Sequence, residues 1–148
     1  MSILNIRKFF LTTLLTLITS VSLAEGLLDA NSASEDDLAA LPNMNAELAA
    51  AIVAGRPYAT IGALNEVLGA NNIDEEQRKA LYGQLFVPIN LNDADESDIL
   101  LIPGVGGKMA HEFEEYRPYS SIGQFRREMG KYVDEAEVAR LEQYVTLE

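Results

Sequence analysis

The segment Ile102-Pro-Gly-Val-Gly-Gly-Lys-Met-Ala110 carries the strongest local signal for the architecture of this chain. Its glycines permit the positive φ angles of a tight turn, and a helical segment follows the turn at once. Such a turn leaves backbone amides exposed at the N-terminus of the next helix, where they can hold an anion. The stretch therefore predicts two short helices joined by a hairpin turn.

The sequence on both sides of this turn resembles an earlier part of the chain at an offset of 61 residues. Asn31–Leu38 aligns with Asn92–Ile99, and Arg56–Tyr58 aligns with Arg117–Tyr119. Self-similarity at a fixed offset is the signature of repeated structural units. The sequence therefore predicts two copies of one unit.

Apolar residues recur at helical spacing within each copy, which indicates core-facing helix stripes. The pattern predicts an all-α fold with two tandem modules of about four short helices each, residues 25–87 and 88–148, joined near Pro88. The residues that carry it are Leu38, Leu41, Leu48, Ile52, Ile61, Leu64, Leu68, Leu81 and Leu85, and in the second copy Ile99, Ile102, Met109, Phe113, Ile122, Phe125, Met129, Leu141 and Val145.

Residues 1–24 have the pattern of a secretory signal peptide. Arg7 and Lys8 precede an acid-free apolar run, Phe9–Leu23, and a Ser-Leu-Ala pattern ends at Ala24. We expect cleavage after Ala24. The alternative is an uncleaved anchor, but a run of 15 residues is shorter than the roughly 20 that span a bilayer. We therefore expect a periplasmic or secreted protein without stable membrane insertion after cleavage.

Composition limits the functions open to the chain. It has no cysteine, which excludes disulfides and a thiolate nucleophile. Without the signal peptide it carries nine basic and 23 acidic side chains, a formal net charge of −14. Because phosphate binding relies on basic side chains, such a charge opposes DNA beyond a Debye length of about 8 Å. Only a local basic patch would reverse this effect.

The second copy carries such a patch, since it has bases where the first copy has Asn65, Glu66 and Ala70. The other interpretation is that these bases are ordinary solvated helix charges, because residues 104–131 carry five bases and four acids and therefore give only a weak field. Three of those acids, Glu112, Glu114 and Glu115, lie close to the turn in sequence. The candidate phosphate-binding and DNA-binding residues are Gly104, Val105, Gly106, Gly107, Lys108, Arg126, Arg127 and Lys131.

The first copy has a degenerate version of the turn, Asn43-Met-Asn-Ala46 followed by Glu47. Asparagine tolerates the left-handed backbone, so we expect the turn to survive while phosphate affinity is lost. The later turns of the two copies, around residues 69–74 and 130–134, lack the Gly-x-Gly pattern and present acids.

Two acidic segments suggest structural roles. Ser32-x-x-Glu35 and Asp93-x-x-Glu96 fit the start of a helix with a capping box. A calcium loop starting at Asp93 is not favoured, because its sixth residue is Asp98 where glycine is needed and its twelfth is Gly104 where glutamate is needed.

Catalytic chemistry finds little support in the sequence, which has a single histidine and no His-Glu-x-x-His spacing. We expect no catalytic site, no metal site and no cofactor. His111 is expected to be a partly exposed helix residue, with phosphate contact as the alternative. Tyr58 and Tyr119 are expected to pack in the interior, with exposed contacts as the alternative.

The pattern resembles the helix-hairpin-helix family, and within it the double-hairpin module of ComEA-type competence proteins. The residues that carry the resemblance are Asn92–Ile99, Ile102–Gly106 and Pro118–Ile122, and it covers residues 28–147 as two modules. It implies binding of the DNA backbone by hairpin amides and a nearby lysine. These functions would fall on Gly104, Val105, Gly106 and Lys108.

The chain is also similar to PsbU, an exported helix-hairpin-helix subunit of photosystem II that binds protein. The matching features are Pro57-Tyr58, Asp74–Leu81 and Phe86-Val87. This resemblance implies that the fold can serve protein binding without DNA. We therefore expect an exported acidic adaptor or extrinsic subunit whose partner is a protein. The alternative is ComEA-like, sequence-independent binding of duplex DNA through the second module.

Overall fold

The computed structural model describes residues 26–148 and is mostly helical. The predicted signal peptide, residues 1–24 with cleavage after Ala24, lies outside the described residues. The expectation of a mainly helical chain is confirmed, with the addition of four two-residue strands. The helices are α1 Glu35–Ala39, α2 Ala46–Ala54, α3 Ile61–Ala70, α4 Glu75–Leu81, α5 Glu96–Ile99, α6 Gly107–Glu115, α7 Ile122–Met129 and α8 Glu135–Glu142; the strands are β1 Leu28–Asp29, β2 Leu85–Phe86, β3 Ile89–Asn90 and β4 Val145–Thr146.

The strands form two parallel pairs, and each pair joins the start of a four-helix segment to its end. β1 pairs with β2, with Leu28 opposite Leu85. β3 pairs with β4, with Ile89 opposite Val145. The segment α1–α4 is thus closed by one pair and the segment α5–α8 by the other; we call them the first half and the second half. Two residues are too few to show the alternating pattern of a strand, so the sequence did not predict these pairs.

The positions expected for the helix caps of α1 and α5 were wrong by two residues. The N-cap of α1 is Ser34, whose hydroxyl accepts a hydrogen bond from the amide of Asp37. The N-cap of α5 is Asp95, whose side chain makes no capping bond. Ser32 instead lies in a turn, where its amide donates to the carbonyl oxygen of Asp29.

An arginine and an asparagine hold the start of the second half in place. Arg117 donates from Nε to the carbonyl of Leu91 and from Nη2 to that of Ala94, both at 2.6 Å. Asn92 donates to the carbonyl of Tyr119 at 3.0 Å and accepts from its amide at 2.7 Å. We call this set of four hydrogen bonds the Asn-Arg clamp. It fixes the turn after β3 against the Arg-Pro-Tyr segment before α7.

The first half contains the same clamp. Arg56 donates to the carbonyls of Ala30 and Ala33 at 2.6 Å, and Asn31 exchanges two hydrogen bonds with the backbone of Tyr58. Tyr58 is 5% exposed and Tyr119 is 3% exposed, which confirms that both tyrosines pack in the interior. The repeated Asn and Arg-Pro-Tyr motifs therefore have a structural explanation in both halves.

The buried apolar residues form one contiguous core that includes residues of both halves. At the boundary, the ring of Phe86 meets the ring of Tyr144 edge to face, with centroids 4.8 Å apart. The Tyr144 hydroxyl also donates to the carbonyl of Tyr82 at 3.1 Å, in a buried hydrogen bond. The two halves therefore share their interior.

A carboxylate completes the boundary between the halves. Asp98 of α5 is 8% exposed, and its Oδ1 accepts a hydrogen bond from the amide of Gly62, in the first turn of α3, at 3.0 Å. A Cβ atom on Gly62 would lie only 2.8 Å from that oxygen, so a larger residue there would displace the carboxylate. Burial raises the pKa of Asp98, and the hydrogen bond from Gly62 opposes this shift. We call this interaction the capping contact.

The clamp leads to a stability prediction. Replacing Asn92 with alanine leaves the amide and carbonyl of Tyr119 without partners, so we expect Asn92→Ala to lower the free energy of unfolding by about 2 kcal/mol. Urea denaturation measures the change. Asn31→Ala should cost a similar amount, because its hydrogen bonds are the same; a loss below about 0.5 kcal/mol at either site would contradict this role.

The shared core predicts a single unfolding transition. Both halves contribute to one interior, so we expect them to unfold together. Far-ultraviolet circular dichroism follows the helices of both halves, and tyrosine fluorescence is weighted toward the second half, which contains four of the six tyrosines. The two signals should give coincident urea curves, whereas two separated midpoints would mean that the halves are energetically independent.

Candidate functional site

The turn between α5 and α6 is a type II turn. The amide of Val105 donates to the carbonyl of Ile102 at 3.1 Å, Pro103 holds the second position, and Gly104 at the third has φ +81°. A positive φ at this position favours glycine. The glycine-rich stretch thus builds the hairpin turn predicted from the sequence.

The turn between α1 and α2 has the same backbone without a glycine. The amide of Met44 donates to the carbonyl of Leu41 at 3.1 Å, and Asn43 takes the left-handed position with φ +61°. This confirms the expectation that asparagine preserves the turn. The two turns differ at the start of the next helix, because Asn45 caps α2 by accepting from the amide of Leu48 at 2.8 Å.

Gly106 stands where the first half has Asn45, and α6 therefore begins without a side-chain cap. Within the described residues, the amides of Gly107, Lys108 and Met109 have no hydrogen-bond acceptor. A Cβ atom on Gly106 or Gly107 would meet nothing within 4 Å, so the surface around these amides is open. We call residues 106–109 the uncapped hairpin. Its three amides are free to bind an acceptor from outside.

A shallow cavity of about 590 Å³ lies beside the uncapped hairpin. Its wall includes Met109 and Tyr132, which are apolar or aromatic, and Glu112, which is acidic. One oxygen of Glu112, Oε2, is buried and has no hydrogen-bond partner within the described residues. The cavity therefore combines an apolar surface with a carboxylate that opposes the approach of an anion.

The three bases on and after α7 are paired with acids. Arg126 forms two hydrogen bonds with Glu142, at 2.7 and 2.5 Å. Glu128 accepts from Arg127 at 3.2 Å and from Lys131. The hydrogen bond from Arg126 lowers the pKa of Glu142, and that from Lys131 lowers the pKa of Glu128, so both acids stay ionised. The local charge of this patch is therefore largely cancelled.

The structure does not gather all the candidate residues into one site. Arg126 lines a separate cavity of about 440 Å³ between α7 and α8, whereas Gly106, Gly107 and Lys108 line the cavity of the uncapped hairpin. Val105 packs in the core at 9% exposure. Lys108 is the one candidate base with no ion pair inside residues 26–148.

Two features of the patch escaped the sequence prediction. Glu142 lies outside residues 104–131. It belongs to α8 and pairs with Arg126 of α7, 16 residues earlier in the chain. Arg140 lies beside the hairpin, since a Cβ atom on Gly104 would be 3.3 Å from its Nη2. Its guanidinium is held by Glu137 through two hydrogen bonds at 2.7 and 2.6 Å. Aligning the copies would have revealed this base, because the first copy has alanine there.

The acids expected to weaken the patch have other contacts. Glu114 lies 3.7 Å from Arg117, whose guanidinium belongs to the clamp. Glu115 lies 3.3 Å from Nε2 of His111, an exposed helix residue with a side chain 69% accessible. Within residues 26–148 there is no group of three or more metal-binding side chains, and no helix there has the length and apolar character to cross a bilayer.

Comparison with known proteins gave no relative for this chain: no family model, no curated protein and no solved structure matches it.

A pair of substitutions tests the difference between the two hairpins. Asn45→Ala removes the cap of α2 and should cost about 1 kcal/mol in the free energy of unfolding. Gly106→Asn should stabilise the protein by roughly a few tenths of a kcal/mol, because Gly106 already has extended backbone and space around it. Urea denaturation measures both. A loss of stability in Gly106→Asn would show that α6 begins differently from α2.

Proposed function

We propose that this chain is an exported, non-catalytic binding protein of two tandem helix-hairpin-helix modules, residues 25–87 and 88–148, and that its partner is a protein. One observation favours a protein partner over DNA. The bases on and after α7 are paired with Glu128 and Glu142, so they do not form the positive surface that DNA requires. The proposed location is the periplasm or the cell exterior.

The tandem modules are supported by contacts that recur at equivalent positions. Asn43 and Gly104 both take the left-handed position of a hairpin turn. Arg56 and Arg117 both hold two backbone carbonyls in the Asn-Arg clamp. Recurrence of backbone geometry and of side-chain contacts favours duplication of one unit, in agreement with the resemblance to the helix-hairpin-helix family.

A protein partner is also supported by the exposed surface of the second half. Leu100 and Tyr132 are the large apolar residues most exposed within the described residues, at 41% and 47%. Tyr132 and Met109 line the cavity beside the uncapped hairpin. Tyrosine and methionine are enriched in protein interfaces.

Binding of the DNA backbone is a second candidate, and a specific observation favours it. The uncapped hairpin presents three free amides beside Lys108, the arrangement that holds a phosphate at a helix N-terminus. Against it stand the acidic wall of the cavity and the formal charge of −14 on residues 25–148. This surface would bind phosphate without reading the base sequence.

Duplex DNA binding decides between the two candidates. We expect no binding at about 200 mM salt and none tighter than about 100 μM at about 50 mM salt, the weak end of non-specific affinity. Fluorescence anisotropy with a labelled duplex measures it on the purified protein.

Binding of DNA by the uncapped hairpin would depend on salt and on two residues of the hairpin. Micromolar binding that falls steeply with salt, and that is lost in both Lys108→Glu and Gly106→Asn, would assign the function to the uncapped hairpin and overturn the protein-partner proposal. Lys79→Glu is the matched control, because Lys79 is an exposed base of the first half. Binding should survive in that variant if the hairpin is responsible.

A further inference from the structure

The capping contact joins two unlike surfaces of the repeated unit. The carboxylate of Asp98 comes from α5, the first helix of the second half, and it meets the amide of Gly62 on α3, the third helix of the first half. Asn65 and Glu66 of α3 line the cavity beside this contact, about 580 Å³ in volume. When a contact joins two unlike surfaces, the equivalent surfaces that stay uncovered can make the same contact with further copies.

Each half also contains the surface that the other half uses in the capping contact, and no residue within 26–148 covers either of them. The 61-residue offset places Asp37 at the position of Asp98 and Gly123 at the position of Gly62. Asp37 is exposed, with Oδ2 accepting from the hydroxyl of Ser34 at 2.6 Å. Gly123 is exposed, and its amide has no acceptor within residues 26–148. The nearest atom to a Cβ on Gly123 would be the Ser121 hydroxyl at 3.7 Å, so room for a carboxylate remains.

Residues 35–37 carry three negative charges, whereas Arg126, Arg127 and Lys131 together with their partners Glu128 and Glu142 carry a net charge of 3 − 2 = +1. Arg126 and Arg127 occupy the positions of Asn65 and Glu66, and their side chains are 59% and 67% exposed. Asp37 is accompanied by Glu35 and Asp36, which are also exposed in the first turn of α1. Residues 35–37 are called the acidic end, and Gly123 with Arg126 and Arg127 the basic end.

α7 and α3 make a hydrogen bond from the same position of the repeated unit. In the first half, the hydroxyl of Tyr82 donates to Asn65 at 2.7 Å. In the second half, Arg126 and Glu142 occupy the corresponding positions and are also hydrogen-bonded. The residue pair that joins α7 to α8 therefore occupies the same two positions as the pair that joins α3 to the end of α4.

We propose that the acidic end of one copy of this chain docks on the basic end of a second copy, with Asp37 accepting a hydrogen bond from the amide of Gly123. Arg126 and Arg127 attract Glu35 and Asp36 across the same interface. Because the surfaces are unlike, the association is head to tail and can include more than two copies, as a ring or as a filament. This inference goes beyond the proposed function and does not depend on it.

The interface between copies should be weaker than the boundary inside the chain. That boundary also contains the edge-to-face contact of Phe86 with Tyr144. The second copy is one residue shorter after Gly130, which places Gln84 at the position of Tyr144 and Thr146 at that of Phe86, so the aromatic contact is not repeated between copies. The hydrogen bond from Gly123 and the attraction between the acidic end and the remaining charge of +1 at the basic end are then left, and salt should weaken the association.

Sedimentation velocity on the purified protein tests the proposal. From about 10 μM to about 1 mM protein, at about 50 mM salt, we expect the average mass to rise with concentration, and at about 500 mM salt we expect monomers, because screening is then strong. A protein that stays monomeric over the whole range at low salt would overturn the proposal.

Two variants, each blocking one end, give the decisive comparison. Gly123→Ala places a methyl group where the carboxylate must sit, and Asp37→Ala removes the carboxylate; each should weaken association by about tenfold or more, as expected for a hydrogen bond to a charged group. A mixture of the two variants should form dimers that do not grow further, because Gly123→Ala keeps its acidic end and Asp37→Ala keeps its basic end.

Controls separate docking from folding. Gly107→Ala, at an exposed glycine with nothing within 4 Å of a Cβ, should leave association unchanged. Thermal melting establishes that each variant is folded. Association that persists in both blocked variants, or a mixture of them that stays monomeric, would show that the copies do not meet through these surfaces.

Discussion

The Asn-Arg clamp is the interaction on which the rest of each half depends. The turns after β1 and β3 cannot pair their carbonyl groups within a helix or a sheet, and the guanidinium groups of Arg56 and Arg117 satisfy two of them in each half. Arginine suits this task because its donors have a fixed geometry. With the turn fixed, the first helix of each half and the tyrosine after the arginine are placed against one core.

The two hairpins show how one side chain changes the chemistry of an otherwise common backbone. Asn43 and Gly104 both support the turn, so the path of the chain is the same. Asn45 then accepts a hydrogen bond from the Leu48 amide of the first hairpin, whereas Gly106 leaves the equivalent Met109 amide of the second free. Whether the helix amides can bind an external acceptor thus depends on the residue just beyond the turn, Asn45 or Gly106. The surrounding acids determine what that capacity can be used for.

The helices could be predicted from the sequence because apolar residues recur at the helical period, and the left-handed Asn43 because few residues tolerate that backbone. The site was harder to predict. Arg126 and Glu142 lie on different helices, and their pairing depends on how α7 and α8 meet. The role of Arg117 depends on carbonyl groups 23 and 26 residues earlier in the chain. Such contacts follow from tertiary structure and leave no local pattern in the sequence.

The parallel pairing of β1 with β2, and of β3 with β4, has a consequence for the origin of the chain. Each pair brings the beginning and the end of a half side by side, within the spacing of neighbouring strands. A unit whose ends are adjacent can be duplicated in one gene and joined by a very short linker, here Val87 and Pro88, without rearranging its interior. In the proposed tandem modules, each copy can therefore differ at its surface while its strand pair is preserved.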